Sequence, residues 1–320
     1  MIMTILMVTL PIVITLLFGF IAAWRHDFNN KDATILNRMV LTYAVPMSIF
    51  AGTVSTSKAY LLESIPLLLT LTITIIGLYA LVYFVFRYVF KCSLSLSALS
   101  AVTVAGPAVP FFGPAILEGL FGVSAAVPIA IGSIVINVTI VPFTVFLLTM
   151  GRMQNPTMVT ESKNAKDVFI THLKETVQKP LVWAPVLAVI VVLLGFNSPP
   201  LLSKSLELLG KTSAGVALFA SGIMLAAYKL KLDALTWSLV ILKNIFAPIL
   251  VYIVARSFGI DMHLISQALI TMAIPAMPII VVFAIEYKVA EKNMPSVLLL
   301  STILSPLTIG GFIALISAFG

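Results

Sequence analysis

The chain has 320 residues, of which 60% are hydrophobic and 10% charged, with a mean hydropathy of +1.14. Soluble domains carry roughly a quarter charged residues, so a soluble fold is excluded and a polytopic membrane protein is implied. The formal net charge of +7 would suggest nucleic acid in a soluble chain, but the placement of the basic residues described below speaks for membrane topology and against a nucleic-acid partner.

Apolar runs near the ~20 residues that a hydrocarbon core demands predict ten spans: 3–23, 34–54, 65–86, 96–120, 125–149, 181–197, 208–228, 235–255, 263–286 and 295–318. Span one has no basic leader and no small-residue cleavage pattern before Trp24, so it is expected to remain in the protein. Span two opens with Asn37 and Arg38, which are candidate coupling or gating residues, although an arginine there also snorkels readily to the interface. Asn137 stands near the middle of span five, where its amide suits either a carboxylate or a hydrogen bond to a neighbouring helix. Polar residues 151–179 form the one long hydrophilic linker, whose segment 166–179 has the spacing of an amphipathic surface helix. Lys243 is expected about 13 Å below the membrane surface if span eight starts at 235, at ~1.5 Å per residue, and at the interface if the span starts later. In span ten, Ser301, Thr302, Ser305, Pro306 and Thr308 either line a cavity or bond back to their own helix.

Segment 103–118, TVAGPAVPFFGPAILE, recurs 168 positions later as TMAIPAMPIIVVFAIE at 271–286, with six of sixteen positions identical. Two prolines recur in register, Pro107 and Pro110 in the first copy and Pro275 and Pro278 in the second. Proline lacks an amide hydrogen and clashes with the carbonyl four residues back, so each copy predicts a broken helix. Irregular backbone at bilayer depth survives where protein or a watery cavity encloses it. Half-helices starting near Phe111 and Ile279 would present amide groups and positive dipole ends, which favour an anion. Candidate substrate-binding residues are therefore Gly106, Pro107, Ala108, Val109, Pro110, Phe111, Asn137, Pro275, Ala276, Met277, Pro278 and Ile279. Lys243 and the repeated pair Glu118 and Glu286 join Asn37 and Arg38 as coupling or gating candidates, the two glutamates being read first as helix ends.

Fourteen basic residues fall in the loops after odd-numbered spans: Arg25, Lys31, Arg38, Arg87, Lys91, Arg152, Lys163, Lys166, Lys174, Lys179, Lys229, Lys231, Lys288 and Lys292. Four fall on the other side: Lys58, Lys204, Lys211 and Arg256. By the positive-inside rule the odd loops face the cytoplasm and both termini face out of the cell. The linker splits ten spans into five plus five, and an odd number per half inverts the second half. The predicted fold is an all-α membrane protein of ten transmembrane helices, in two inverted five-helix repeats, with crossing broken helices in spans four and nine. Its parts are a first repeat at 1–150, a cytoplasmic linker at 151–179 and a second repeat at 180–320. Paired broken helices of this kind characterise secondary transporters.

Enzyme signatures such as G-x-S-x-G, H-E-x-x-H or a phosphate-binding loop do not occur. The lone Cys92 excludes an internal disulfide, and His26, His172 and His263 are too scattered to predict a metal centre. No cofactor is predicted.

These residues resemble the auxin efflux carrier family, in particular its bacterial permeases. Span two, LNRMVLTYAVPMSIFAG, is similar to the opening signature of that family. The second half is similar over KPLVWAPVLAVIVVLLG, GKTSAGVALFASGIMLA, LKNIFAPIL, MAIPAMPIIVVFAIEY and STILSPLT. The resemblance covers essentially the whole chain and implies the ten-span inverted repeat in the inner membrane, a carboxylate substrate such as malonate or malate, and elevator-like alternating access. Spans one, two, six and seven would then be scaffold and the surface of a homodimer. Many relatives place Asn after the first proline of the span-four break and a polar residue at the matching place in span nine, where this chain has Ala108 and Ala276. Recognition would then lean on backbone amides, Asn137 or water. A sensor or channel on the same scaffold, and a sodium-coupled anion symporter, are the rival readings.

Overall fold

The computed structural model describes residues 2–55, 57–153, 170, 174, 178–196, 199–226 and 231–319. Among these the chain is helical, with no strand beyond one isolated bridge. The first part contains α1 (Ile2–Trp24), α2 (Asn30–Met39), α3 (Val45–Val54), α4 (Lys58–Glu63), α5 (Ile65–Phe84), α6 (Leu94–Ala105), α7 (Val109–Phe121), α8 (Ala126–Val135) and α9 (Val141–Met153). After the linker come α10 (Pro180–Leu193), α11 (Pro200–Gly210), α12 (Thr212–Ala226), α13 (Ala234–Ile241), α14 (Ala247–Ser257), α15 (Met262–Ala273), α16 (Ile279–Glu286) and α17 (Asn293–Phe319). The amphipathic segment expected at 166–179 lies almost wholly outside the described residues.

Among the described residues, six continuous helical runs are long and apolar enough to cross a membrane: 30–54, 58–89, 109–152, 201–226, 234–257 and 293–317. Four shorter apolar helices, 10–24, 94–105, 180–193 and 262–273, accompany them. The predicted spans four and nine are the ones that fall into pieces, α6 with α7 and α15 with α16. The loop expected between spans four and five is instead a single tight turn, Gly122–Ala125, entered through Gly122 at φ +60°, which only glycine adopts without strain.

Among the described residues four wide, π-helical turns occur, at 40–44, 85–89, 136–140 and 242–246, and all but the second lie just before a proline. Val45 N–H reaches back to Val40 O before Pro46, Val141 to Ile136 O before Pro142, and Ala247 to Leu242 O before Pro248. A proline ring collides with the carbonyl four residues back, and widening the turn moves that carbonyl aside while the helix continues. Such turns recur at functional sites. Lys243 and Asn244 occupy one of them.

Across the chain, α1 lies against α12 through glycines. A Cβ at Gly19 would stand 2.0 Å from Phe219 O, and one at Gly222 2.1 Å from Leu16 O. Where lipid tails are as apolar as leucine, close backbone approach at small residues supplies the packing that hydrophobicity does not. The outer faces carry large apolar side chains, Trp24, Leu201, Leu307 and Tyr88 among the most exposed, as a hydrocarbon solvent allows. Polar side chains gather inside, near the two helix breaks.

Candidate functional site

Helix α6 stops at Ala105, and Gly106 turns extended at φ −101°, ψ 94°. Helix α7 resumes at Val109 after Ala108 at φ −75°, ψ 49°. In the second copy α15 stops at Ala273, Ile274 is extended at φ −57°, ψ 136°, and α16 resumes at Ile279. The two breaks meet. Pro107 and Ala276 form an antiparallel bridge, and Ala108 N–H donates to Pro275 O at 2.8 Å. Neither Pro107 nor Pro275 can donate, so the pairing does not propagate into a ladder.

Residues 106–110 and 274–278 are all buried, and Phe111 and Ile279 half-buried. Gly106 makes the approach possible: a Cβ there would lie 2.3 Å from Met277 Cε and 2.7 Å from Val102 O. The repeated threonines play identical parts, Thr103 Oγ1 donating to Leu99 O and Thr271 Oγ1 to Gln267 O. Each bonds the carbonyl one turn back in the last turns before its break.

The amides that sequence reasoning left free for a ligand are largely engaged. Ala108 N–H is used in the pairing, Val109 N–H donates to Pro107 O, and Phe111 and Phe112 N–H donate to Ala108 O. Ala276 N–H donates to Ser301 Oγ at 3.1 Å. Ser301 in turn donates to Asn244 Oδ1 at 2.6 Å, and Asn244 Nδ2 donates to Ser301 O at 2.9 Å. Ser301 therefore does not merely bond back to α17. It fastens the second break to the wide turn that carries Asn244.

Lys243, one residue earlier, is 0% exposed. Its Nζ donates to Met272 O at 2.9 Å, two residues before the break at Ile274. An amino group of lysine offers three donors, and this single carbonyl is its only recorded partner among the described residues. A buried amino group in a membrane is costly unless paired or functional, and the helix that carries it begins at Ala234, the early start that the deeper of the two sequence readings assumes.

The remaining candidates have no recorded hydrogen bond to the residues of the breaks. Asn137 is half-buried in its own wide turn, and its Nδ2 donates to Ser133 O at 2.8 Å. Glu118 stands in the last turn of α7, is exposed, and accepts from Ser48 Oγ at 3.2 Å. Glu286 ends α16 and is exposed. Asn37 is buried between α2 and α12, with Nδ2 on Met224 Sδ at 3.4 Å and no recorded partner for Oδ1, whereas Arg38 is exposed.

Sequence reasoning missed a polar cluster at the far end of α15. Gln267 is fully buried, and its Nε2 lies 2.9 Å from Tyr60 Oη, 3.2 Å from Ser124 Oγ and 3.1 Å from His263 Nε2. It ties α4, the turn after α7 and α15 together. The available signal was a glutamine inside an apolar span, where a polar side chain must find partners or function.

A multi-pass helical bundle with two broken helices joined inside it defines a membrane transport protein. The profile of the family described as "Membrane transport protein" matches residues 4–313, and the chain belongs to this family, that of the auxin efflux carriers. It is similar to "Uncharacterized transporter YfdV" of Escherichia coli K12, 29% identical over 268 residues that cover 83% of each chain. It is also similar to "Putative malonate transporter" of Rhizobium meliloti (strain 1021), 24% identical over 314 residues covering 96% of this chain and 94% of that one. The family and these relatives are transporters.

Proposed function

We propose that the protein is a secondary transporter of a small organic anion, a mono- or dicarboxylate of the malonate or malate kind, working by elevator-like alternating access. The observation that carries the proposal is the junction of the two broken helices beside a fully buried lysine whose recorded partner is one carbonyl. Broken helices meeting inside a bundle form transporter sites, and an underpartnered lysine amino group favours a negatively charged occupant. The name of the Rhizobium relative supports a dicarboxylate.

In this reading the chain forms ten spans as two inverted five-helix repeats, 1–150 and 180–320, joined by a cytoplasmic linker at 151–179. Both termini face outward from an inner membrane, and a homodimer forms through the scaffold. The substrate sits at Gly106 to Phe111 and Pro275 to Ile279, with Asn137 offering its second amide hydrogen. Because the local amides are engaged, the positive charge comes from Lys243, held in place through the Asn244 and Ser301 linkage. Rigid movement of the helices around the junction past α1, α2, α3, α10 and α12 would expose the site to alternate sides.

The test is uptake by purified protein in proteoliposomes. Saturable malonate or malate uptake, accelerated by the same anion on the opposite side, is the expected result. Flux that stays linear with concentration would mean a pore, binding without flux a sensor, and strict sodium dependence a symporter; each of these would overturn the proposal.

A further inference from the structure

Away from the breaks, α3, α4, α5, α8 and α10 surround a groove of about 390 Å³. Its walls are apolar, with Leu62 and Leu68 on one side and Val186 and Ile190 on the other, all half-exposed on the outer surface. Ala130 and Ile131 of α8 close its floor and are buried. Its polar lining residues are Thr53 and Ser64, and the end beside α4 is the polar one, where Ser64 Oγ donates to Tyr60 O. There Thr53, at the last turn of α3, lines the groove, is 1% exposed, and has no hydrogen-bond partner for Oγ1 among the described residues. At the same end Lys58 donates from Nζ to the carbonyl of Leu193, a lining residue, at 3.2 Å. Two further donors on Lys58 point elsewhere, and Glu63, the other charged residue of α4, is exposed at that helix's opposite end.

The groove has the dimensions of one leaflet. Its floor runs from Val127 to Val135 along α8, about 12 Å at ~1.5 Å per residue, against roughly 15 Å for half of a ~30 Å hydrocarbon core. The polar end coincides with the membrane surface, where α3 ends and α4 begins. An apolar channel of that length, with an unpartnered hydroxyl and then a cation at the surface end, repeats the order of a phospholipid read from tail to headgroup.

We propose that this groove is a binding site for one anionic glycerophospholipid. An acyl chain lies between α5 and α10, and the phosphate pairs with Lys58. The site needs no assumption about what the protein transports.

The experiment is native mass spectrometry of the intact protein released from nanodiscs of equal phosphatidylglycerol and phosphatidylcholine. One retained phosphatidylglycerol per chain, in at least fivefold preference, is expected. Lys58→Gln should reduce that preference to less than twofold while retention of either lipid persists. Ala130→Phe, which fills the floor, should abolish retention; if that variant does not insert, Val189→Phe on the opposite wall gives the same reading. Unchanged preference in Lys58→Gln, unchanged retention in the filled groove, retained malonate in place of lipid, or a lipid-free dimer would each overturn the site.

Discussion

Lys243 is the residue on which the transport reading turns. Its burial is complete and its recorded partner is the carbonyl of Met272, so the fold bears the cost of a polar group that it does not fully satisfy. Replacing a buried ionisable group by an apolar one of similar volume is often neutral or stabilising. Lys243→Met is therefore expected to leave thermal stability in detergent unchanged or higher while anion uptake falls at least tenfold. A parallel loss of stability and uptake would make Lys243 a structural residue. The sequence could not decide its depth, because the start of an apolar run is uncertain by several residues and each moves the side chain ~1.5 Å. Asn244, Ser301 and Gln267 were harder still to recognise. Their decisive partners lie 57, 25 and 207 positions away, and a hydrogen bond across such distances leaves no local pattern.

Asp233 offers a residue-scale prediction outside the membrane. The neighbouring Lys231, at 2.8 Å, does most to hold its carboxyl well below the usual carboxylate range, helped by the Thr236 amide and Asn293 Nδ2. The folded value lies below the unfolded one, so this contribution is complete above about pH 4, the unfolded carboxylate range, and is lost as pH falls through the folded value. Both side chains are partly exposed, which limits the ion pair to about 1 kcal/mol. Asp233→Asn should lower the melting temperature at pH 7 by a few degrees and by progressively less in acid. An equal loss at every pH would show that the cap and not the charge matters.

At the scale of elements, proline accompanies both helix breaks and three of the four wide turns. A single proline preceded by a wide turn leaves the helix running, as at Pro46, Pro142 and Pro248, whereas pairs three apart at 107 and 110 and at 275 and 278 break it. The breaks were legible because the pairs recur in register. The tight continuation at Gly122–Ala125 was not, since a glycine between apolar runs reads equally as a loop. Gly106→Ala should lower uptake several-fold, because the added methyl meets Met277 Cε and Val102 O. Met277→Ala should restore part of it, since only the methionine contact is relieved. Failure of the double variant to improve on the single one would leave Val102 O as the whole obstacle. The α1 and α12 glycines bear on stability instead: Gly222→Val should cost about 1–3 kcal/mol by overpacking, read as lower thermal stability with no change in substrate preference.

Over the whole molecule, composition alone was enough to establish a helical membrane protein, and the duplicated segment pointed to the region where the chain is least regular. What composition could not supply was how the halves touch. Of the amides counted from the sequence, Ala108 N–H serves the junction itself by bonding Pro275 O, and those of Val109, Phe111 and Ala276 have partners within the protein.

The contact between Pro107 and Ala276 has one further implication. With a lone rung and no possibility of a second beside it, the two segments are coupled like links of a chain and not welded like strands of a sheet. Displacing either segment pulls on its counterpart through that one rung, and no second recorded backbone bond fixes the tilt of one against the other.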